Sequence, residues 1–472
     1  MGSNNSLFRR LIFTTAISLH AVVLGWNLER LASYDSPNHE LLDVEIKGHY
    51  AYVPAGLGGL NIIDISDPSS PVNVATFYGG GCEFGRLYAW HVVGSYAYGS
   101  GRSCGIKVLD VSNPRSPFLV GDYGAGGQSY EHAAGHSLGD GEAFLYAAVH
   151  SGGVEVIDIS DPSSPILVSR VPTQNAWAVE VSETGEFVYV ADGAGGFKVV
   201  DVRNSESPRV VGRSETSGTA KDVTAAGSSV FVAVGAWGVD MFDVSDPANP
   251  ILVANYNTSG YASRVSVSGD LVAVSDWDDV EILRWDESPS LTLAGYKNTG
   301  GRVMAINMVD DIVYSAEWRF FHTFKFGPVE GPDIDLSFRN VDFPHTGINS
   351  CRDTVITIFN TGLSPLVFEE VDLGHHDYEH NIQMETLQPG EKIEGTITYC
   401  ATSDQGETNL VIRTNDPDEP QVDVRVEGNS SWGVESGEPA PDFSLDIVNG
   451  SGSITLSELR DQIVVVAFFA SW

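Results

Sequence analysis

The sequence predicts an all-β chain whose larger part is a seven-bladed β-propeller followed by a small β-sandwich. Three observations carry this. The segment "IIDISDPSSP" at Ile62–Pro71 returns at Val108, Val156, Val199 and Met241. Its aspartates, Asp64, Asp110, Asp158, Asp201 and Asp243, stand 46, 48, 43 and 42 residues apart, the period of a four-stranded blade. Between them run alternating apolar and polar residues punctuated by glycine and proline, the text of short half-buried strands and tight turns.

Each unit opens with an alternating strand such as Val44–Gly48, followed by a second one beginning near Tyr50. A glycine hairpin comes next (Gly58–Gly59, Gly152–Gly153, Gly195–Gly196), because the turn needs positive φ. The third strand ends on the repeat aspartate. After it, Ser66-Asp67-Pro68-Ser69-Ser70-Pro71 presets φ with proline and bonds the local backbone with Asp and Ser. The second proline opens the outermost strand, where a missing N–H is tolerated. First strands are expected at Val44, His91, His136, Val179, Val223, Val265 and Ile306. The seventh unit stops after three strands. Leu28–Asp35 reads like the outer strands at Pro117–Tyr123 and Leu252–Tyr256, so the start of the chain is expected to supply the missing strand and leave no open edge. The strand text "IIDIS" and "VLDVS" resembles the LVIVD-repeat family of bacterial surface and secreted propellers. That resemblance implies the fold and no catalytic residue set.

With 63 acidic and 26 basic residues the formal charge is -37, which excludes the basic face that nucleic acid requires. No EF-hand-like or nonapeptide calcium pattern stands in the text. Arg9-Arg10 followed by the mainly apolar Leu11–Trp26 reads as a secretory signal or an N-terminal anchor, placing the domains outside the cytoplasm, with membrane contact only through such an anchor.

Four cysteines in an exported chain point to two disulfides. Cys82 and Cys104 fall in loops that emerge on one propeller face and are paired on that ground. Beyond the propeller, strands run from Ile334 to about Gly428. Cys351 opens one and Cys400 closes another, so antiparallel pairing would bring them together. "N-x-G" at Asn360–Gly362 and "T-N-D-P" at Thr414–Pro417 resemble Ig-like modules of the abnormal-spindle and hydin type, which implies a spacer or docking module.

Gly437–Trp472, with Ala440-Pro441-Asp442-Phe443 and a final "FFASW", resembles the opening of thioredoxin-fold redoxins of the alkyl hydroperoxide reductase/thiol-specific antioxidant group. The resemblance implies an incomplete thioredoxin-like α/β segment, with the catalytic cysteine lying beyond residue 472. The expected domains are a signal peptide or anchor at 1–26, the propeller at 27–328, the Ig-like sandwich at 333–428, a linker at 429–438 and the redoxin start at 439–472.

Candidate ligand residues are few. His132 and His136, in the loop entering the third unit, and His150 at its hairpin would suit a divalent metal, but exposed loop histidines are common and no helix aligns the pair, so no metal, cofactor or catalytic residue is assigned. Trp90, Trp177, Trp237, Trp277 and Trp318 recur near one face, as stacking platforms for a sugar or peptide or as packing between blades. Lys221, Arg264 and Arg302 approach the axis, an arrangement suited to an anion. The chain thus reads as an exported, non-catalytic binding scaffold of unknown partner linked to an incomplete redoxin. The alternative is a thiol-disulfide oxidoreductase or peroxiredoxin as the full-length parent.

Overall fold

A computed structural model describes residues 26–36, 40–56, 59–78, 87–101, 105–124, 132–137, 143–285, 290–343, 346–348, 350–402, 406–429, 444–446 and 453–455. All regular elements among the described residues are strands. Five consecutive four-stranded antiparallel sheets begin at Glu45, Leu87, His132, Ala178 and Asp222, each ordered as in the sequence. A six-stranded sheet follows, in which Leu271–Trp285 and Leu291–Val309 run through as long strands. Its far edge is the N-terminal strand Trp26–Asp35, antiparallel to Phe320–Pro328 with Trp26 opposite Pro328. The start of the chain thus covers the last edge, as its outer-strand text indicates, one residue earlier than the expected boundary.

The repeat motif folds as read. The carboxylate Oδ1 of Asp64, Asp110, Asp158 and Asp243 accepts the backbone N–H two residues on, at 2.8–3.1 Å, and Asp201 does the same for Arg203. These are local turns that end the strand. Gly153 shows why the hairpin needs glycine: its φ is +81°, and a Cβ there would lie 2.1 Å from the Val171 carbonyl. Each outer strand carries a one-residue bulge opposite the same place in its third strand, Ile62/Ile63, Val108/Leu109, Val156/Ile157, Val199/Val200, Met241/Phe242 and Ile282/Leu283. Neighbouring sheets bury apolar side chains between them, for example Val156, Val188 and Val200.

From Ile334 to Gly428 two further four-stranded sheets share one core that includes Ile358, Tyr399, Leu410 and Val424. Cys351 lies opposite Cys400 in the register and the two are joined as a disulfide. A buried polar cluster fastens this sandwich to the six-stranded sheet. Lys297, with no exposed surface, reaches Asp333 Oδ1 at 2.6 Å and Glu419 Oε2 at 3.2 Å. Arg30 and Arg339 hold the same Glu419 at 2.9 Å. Asn27 donates to Asp333 and Asp335, and its Oδ1 accepts the Tyr296 N–H. Burial opposes the charge on Lys297, but the carboxylates around it raise its pKa well above the ordinary value.

Candidate binding mouth and axial channel

The innermost strands meet in a closed order. Those of the five four-stranded sheets, then Ala262–Ser268, then the second half of Leu291–Val309 each lie beside the next, and the last returns to Glu45–Lys47. Because strand side chains alternate, every second residue of these strands points to the axis. There the text places ionisable groups, and many bridge to the backbone of the next strand. Glu45 accepts from the Val92 N–H, His91 bonds the backbone of Gly135, and His132 that of Val179. Asp222 accepts from the Val265 N–H at 3.0 Å, Ser266 from Met308, and Asn307 donates to the Val44 carbonyl. This is a belt of cross-links around the channel.

The belt is electrically constrained. Glu45, His91, His132 and Glu180 keep part of their surface open to the channel, yet the surrounding protein penalises charge on all four. Burial pushes Asp43 and Glu45 up to about 7, with Arg264 and Lys47 respectively opposing it. Burial, then the negative Glu45 and Asp222, pushes Glu180 up to about 8. Burial lowers His91 to about 4 and His132 to about 3, Arg264 adding to the effect on His132. The imidazoles are therefore neutral at physiological pH, while the carboxyls exchange protons there.

One end of the channel is a mouth. Hairpins between second and third strands bridge to the start of the next innermost strand, at Gly56–Leu87, His150–Ala176, Gly193–Ala220 and Gly235–Ala262. Gly193 and Gly235 have positive φ, and so have His150 at +44°, at the same bridge position, and Trp277 at +68°, in the sixth repeat's hairpin. A ring-bearing residue in the left-handed region carries a strain of roughly 1–3 kcal/mol. Both rings contact the neighbouring sheet. His150 meets Trp177 edge-on at 4.9 Å, and Lys221 sits 3.8 Å above the Trp177 ring. Arg302 lies 3.7 Å above Trp277, with Tyr261 at its edge. Trp277 and Trp237 remain 45% and 59% exposed.

The structure sorts the sequence candidates. Trp90 is packing: it is buried and lies so close to Gly99 that a Cβ there would stand 2.5 Å from its ring. Trp177, Trp237 and Trp277 belong to the mouth, and Trp318, half-buried, donates its backbone N–H to the Arg302 carbonyl. Lys221 and Arg302 cover aromatic rings, whereas Arg264 faces the channel carboxylates. His132 and His136 lie in the strand His132–Ser137, where a first strand is expected at His136, so His132 is corrected from its expected loop position. Alternation in "HAAGHS" sustains pairing with Ala143–Ala148. Among the described residues, the groups with metal-ligating geometry contain neither His132 nor His150. Cys82 and Cys104 lie outside the described residues, as does most of the redoxin-like segment, of which Ser444–Asp446 and Ser453–Thr455 form a strand pair. Sequence reading passed over Asp43, Glu45, His91, Glu180 and Asp222, whose only signal is the repeated alternation of the first strands.

Comparison with known proteins agrees with this geometry. The LVIVD repeat model matches residues 42–78, 90–124, 141–173, 175–216, 217–258 and 259–282. The crystal structure of the Myceliophteria thermophila Cps50 (Swd1) beta-propeller domain is similar with a TM-score of 0.51 at 12% identity, over 64% of this chain and 100% of that one. The structure of U3-55K is similar with a TM-score of 0.50 at 14% identity, over 64% and 98%. Both likenesses concern the fold alone. No curated protein matches the chain significantly. Within residues 42–282 the chain carries LVIVD repeats, and its fold is of the propeller type.

Proposed function

We propose that the chain is an exported, non-catalytic binding scaffold: a seven-bladed propeller carrying an Ig-like module and linked to a redoxin-type segment. The closed order of innermost strands supports the blade count. The Cys351–Cys400 bridge supports an oxidising compartment, and the signal-like Leu11–Trp26 supports export. Ala440–Phe443 and Val464–Trp472 support the redoxin link. One observation carries the binding role: His150 and Trp277 hold strained left-handed backbone at the mouth, where the equivalent bridge positions of other repeats use glycine. Strain of this kind persists where a side chain is needed at that spot.

The ligand class that suits exposed indoles beside cations is a saccharide or peptide with a polar or anionic group. Tryptophan fluorescence titrated against a panel of oligosaccharides and short peptides tests this. Binders should lose affinity at least about tenfold in Trp237→Ala and Trp277→Ala. Ligands that bind both variants as tightly as the parent chain would sink the assignment. The redoxin resemblance favours a second reading, a thiol-disulfide oxidoreductase in the full-length parent, for which insulin reduction is the direct assay.

A further inference from the structure

The sixth repeat holds three carboxylates where an equivalent repeat holds an ion pair. In the fourth, fifth and sixth repeats the N–H of Val202, Val244 and Trp285 closes a hairpin on the carbonyl of Glu186, Ser228 and Asp270. Counted from these fixed points, Asp192, Val234 and Asp276 share one position, and Lys198, Asp240 and Glu281 another. The bulge opposite each third strand gives the same count. In the fourth repeat the two positions form a salt bridge, Lys198 to Asp192. In the sixth, both are acids and Asp279 adds a third; one oxygen from each lies within 4.8 Å of the others.

The local backbone treats the positions alike. The Gln174 and Gly260 N–H groups donate to Asp192 and Asp276, and the Ser217 and Ser259 N–H groups to Asp240 and Glu281. Ser259 Oγ lies 3.1 Å from Asp276 Oδ2 and 2.9 Å from Asp279 Oδ2, its single proton shared between them, and Thr258 Oγ1 donates to Asp276. Ser259 thereby holds all three carboxylates facing one another. Asp276, Asp279 and Glu281 are at most 3% exposed. Glu281 Oε2 is buried with no hydrogen-bond partner, which is costly for a carboxylate.

We propose that a calcium ion binds between Asp276, Asp279 and Glu281, in the place that the Lys198 ammonium takes in the fourth repeat. The donors are all oxygen, which selects a hard cation over zinc or copper. Calcium tolerates irregular cages and sheds its water, whereas magnesium keeps several waters that a site this enclosed does not accommodate.

The test uses the full chain stripped with EDTA. Calorimetric titration with calcium should give one ion per chain with a dissociation constant on the order of micromolar, and calcium should raise the melting temperature. Terbium luminescence excited through Trp277, the neighbour of Asp276, should appear and be competed by calcium. Glu281→Lys, which recreates the fourth-repeat pair, should fold without calcium and lose the calcium heat, the melting shift and the terbium signal. Glu281→Gln should weaken binding at least about tenfold. Absence of calcium heat and of a melting shift in the parent chain overturns the proposal. So does binding retained in Glu281→Gln, which would place the ion elsewhere on the acidic surface.

Discussion

Truncating Lys297 to alanine should loosen the sandwich from the propeller at a cost of about 3–5 kcal/mol, the range for stripping one partner from a buried ion pair. The Lys297 ammonium lies 2.6 Å from Asp333 and 3.2 Å from Glu419. At an effective dielectric of about 20 these contacts amount to about 6 and about 5 kcal/mol of gross attraction. Removing the lysine recovers its own desolvation cost, which is why the net loss is smaller. Arg30 and Arg339 still neutralise Glu419, so the residual burden falls on Asp333 and Asp335, both buried. Urea unfolding should move to lower midpoint and separate into two transitions as the sandwich and propeller uncouple. A single unshifted transition, or a loss below about 1 kcal/mol, would show that this cluster behaves like a surface ion pair and refute the reasoning.

Stability should fall as pH rises from about 5 to about 8.5: Asp43, Glu45 and Glu180 have folded-state values raised to about 7, 7 and 8, so their contribution is full below the unfolded carboxyl range and is lost as they ionise. Calorimetry across that window checks the sign, and a rising melting temperature would contradict it. Gly153→Ala should cost roughly 2 kcal/mol or more, since the added Cβ meets the Val171 carbonyl and φ is positive; a neutral melting point would mean the hairpin reshapes freely. Non-reducing peptide mapping should recover a Cys82–Cys104 linkage in protein secreted into an oxidising compartment, and finding either cysteine alkylated before any reductant is added would overturn it.

The repeat was legible because its chemistry is local. Asp158, the positive φ of Gly153 and the prolines are local features, so their spacing alone places strand ends and hairpins. Strand Trp26–Asp35 was legible through its likeness to the other outer strands. What escaped is chemistry assembled across the chain. Ser259 joins Asp276, Asp279 and Glu281 from the loop before an innermost strand, so no linear calcium motif exists to be read. Lys297 meets Glu419 across 122 residues, and neither neighbourhood marks it. His132 was misplaced because the first strand was counted from His136, whereas pairing to Ala143–Ala148 starts it four residues earlier.

The pairing of Trp26–Asp35 with Phe320–Pro328 sets a rule for assembly. Bringing two strands about 300 residues apart into register costs about 5 kcal/mol of chain entropy by (3/2)RT ln n, unless the intervening sheets have already formed. Closure is therefore the last event, and high contact order makes it slow. Until Phe320–Pro328 has been made and delivered, the outer edge of the final sheet stays open to foreign strands. A chain delivered from its N-terminus would have to hold its first strand in reserve through the whole of that interval.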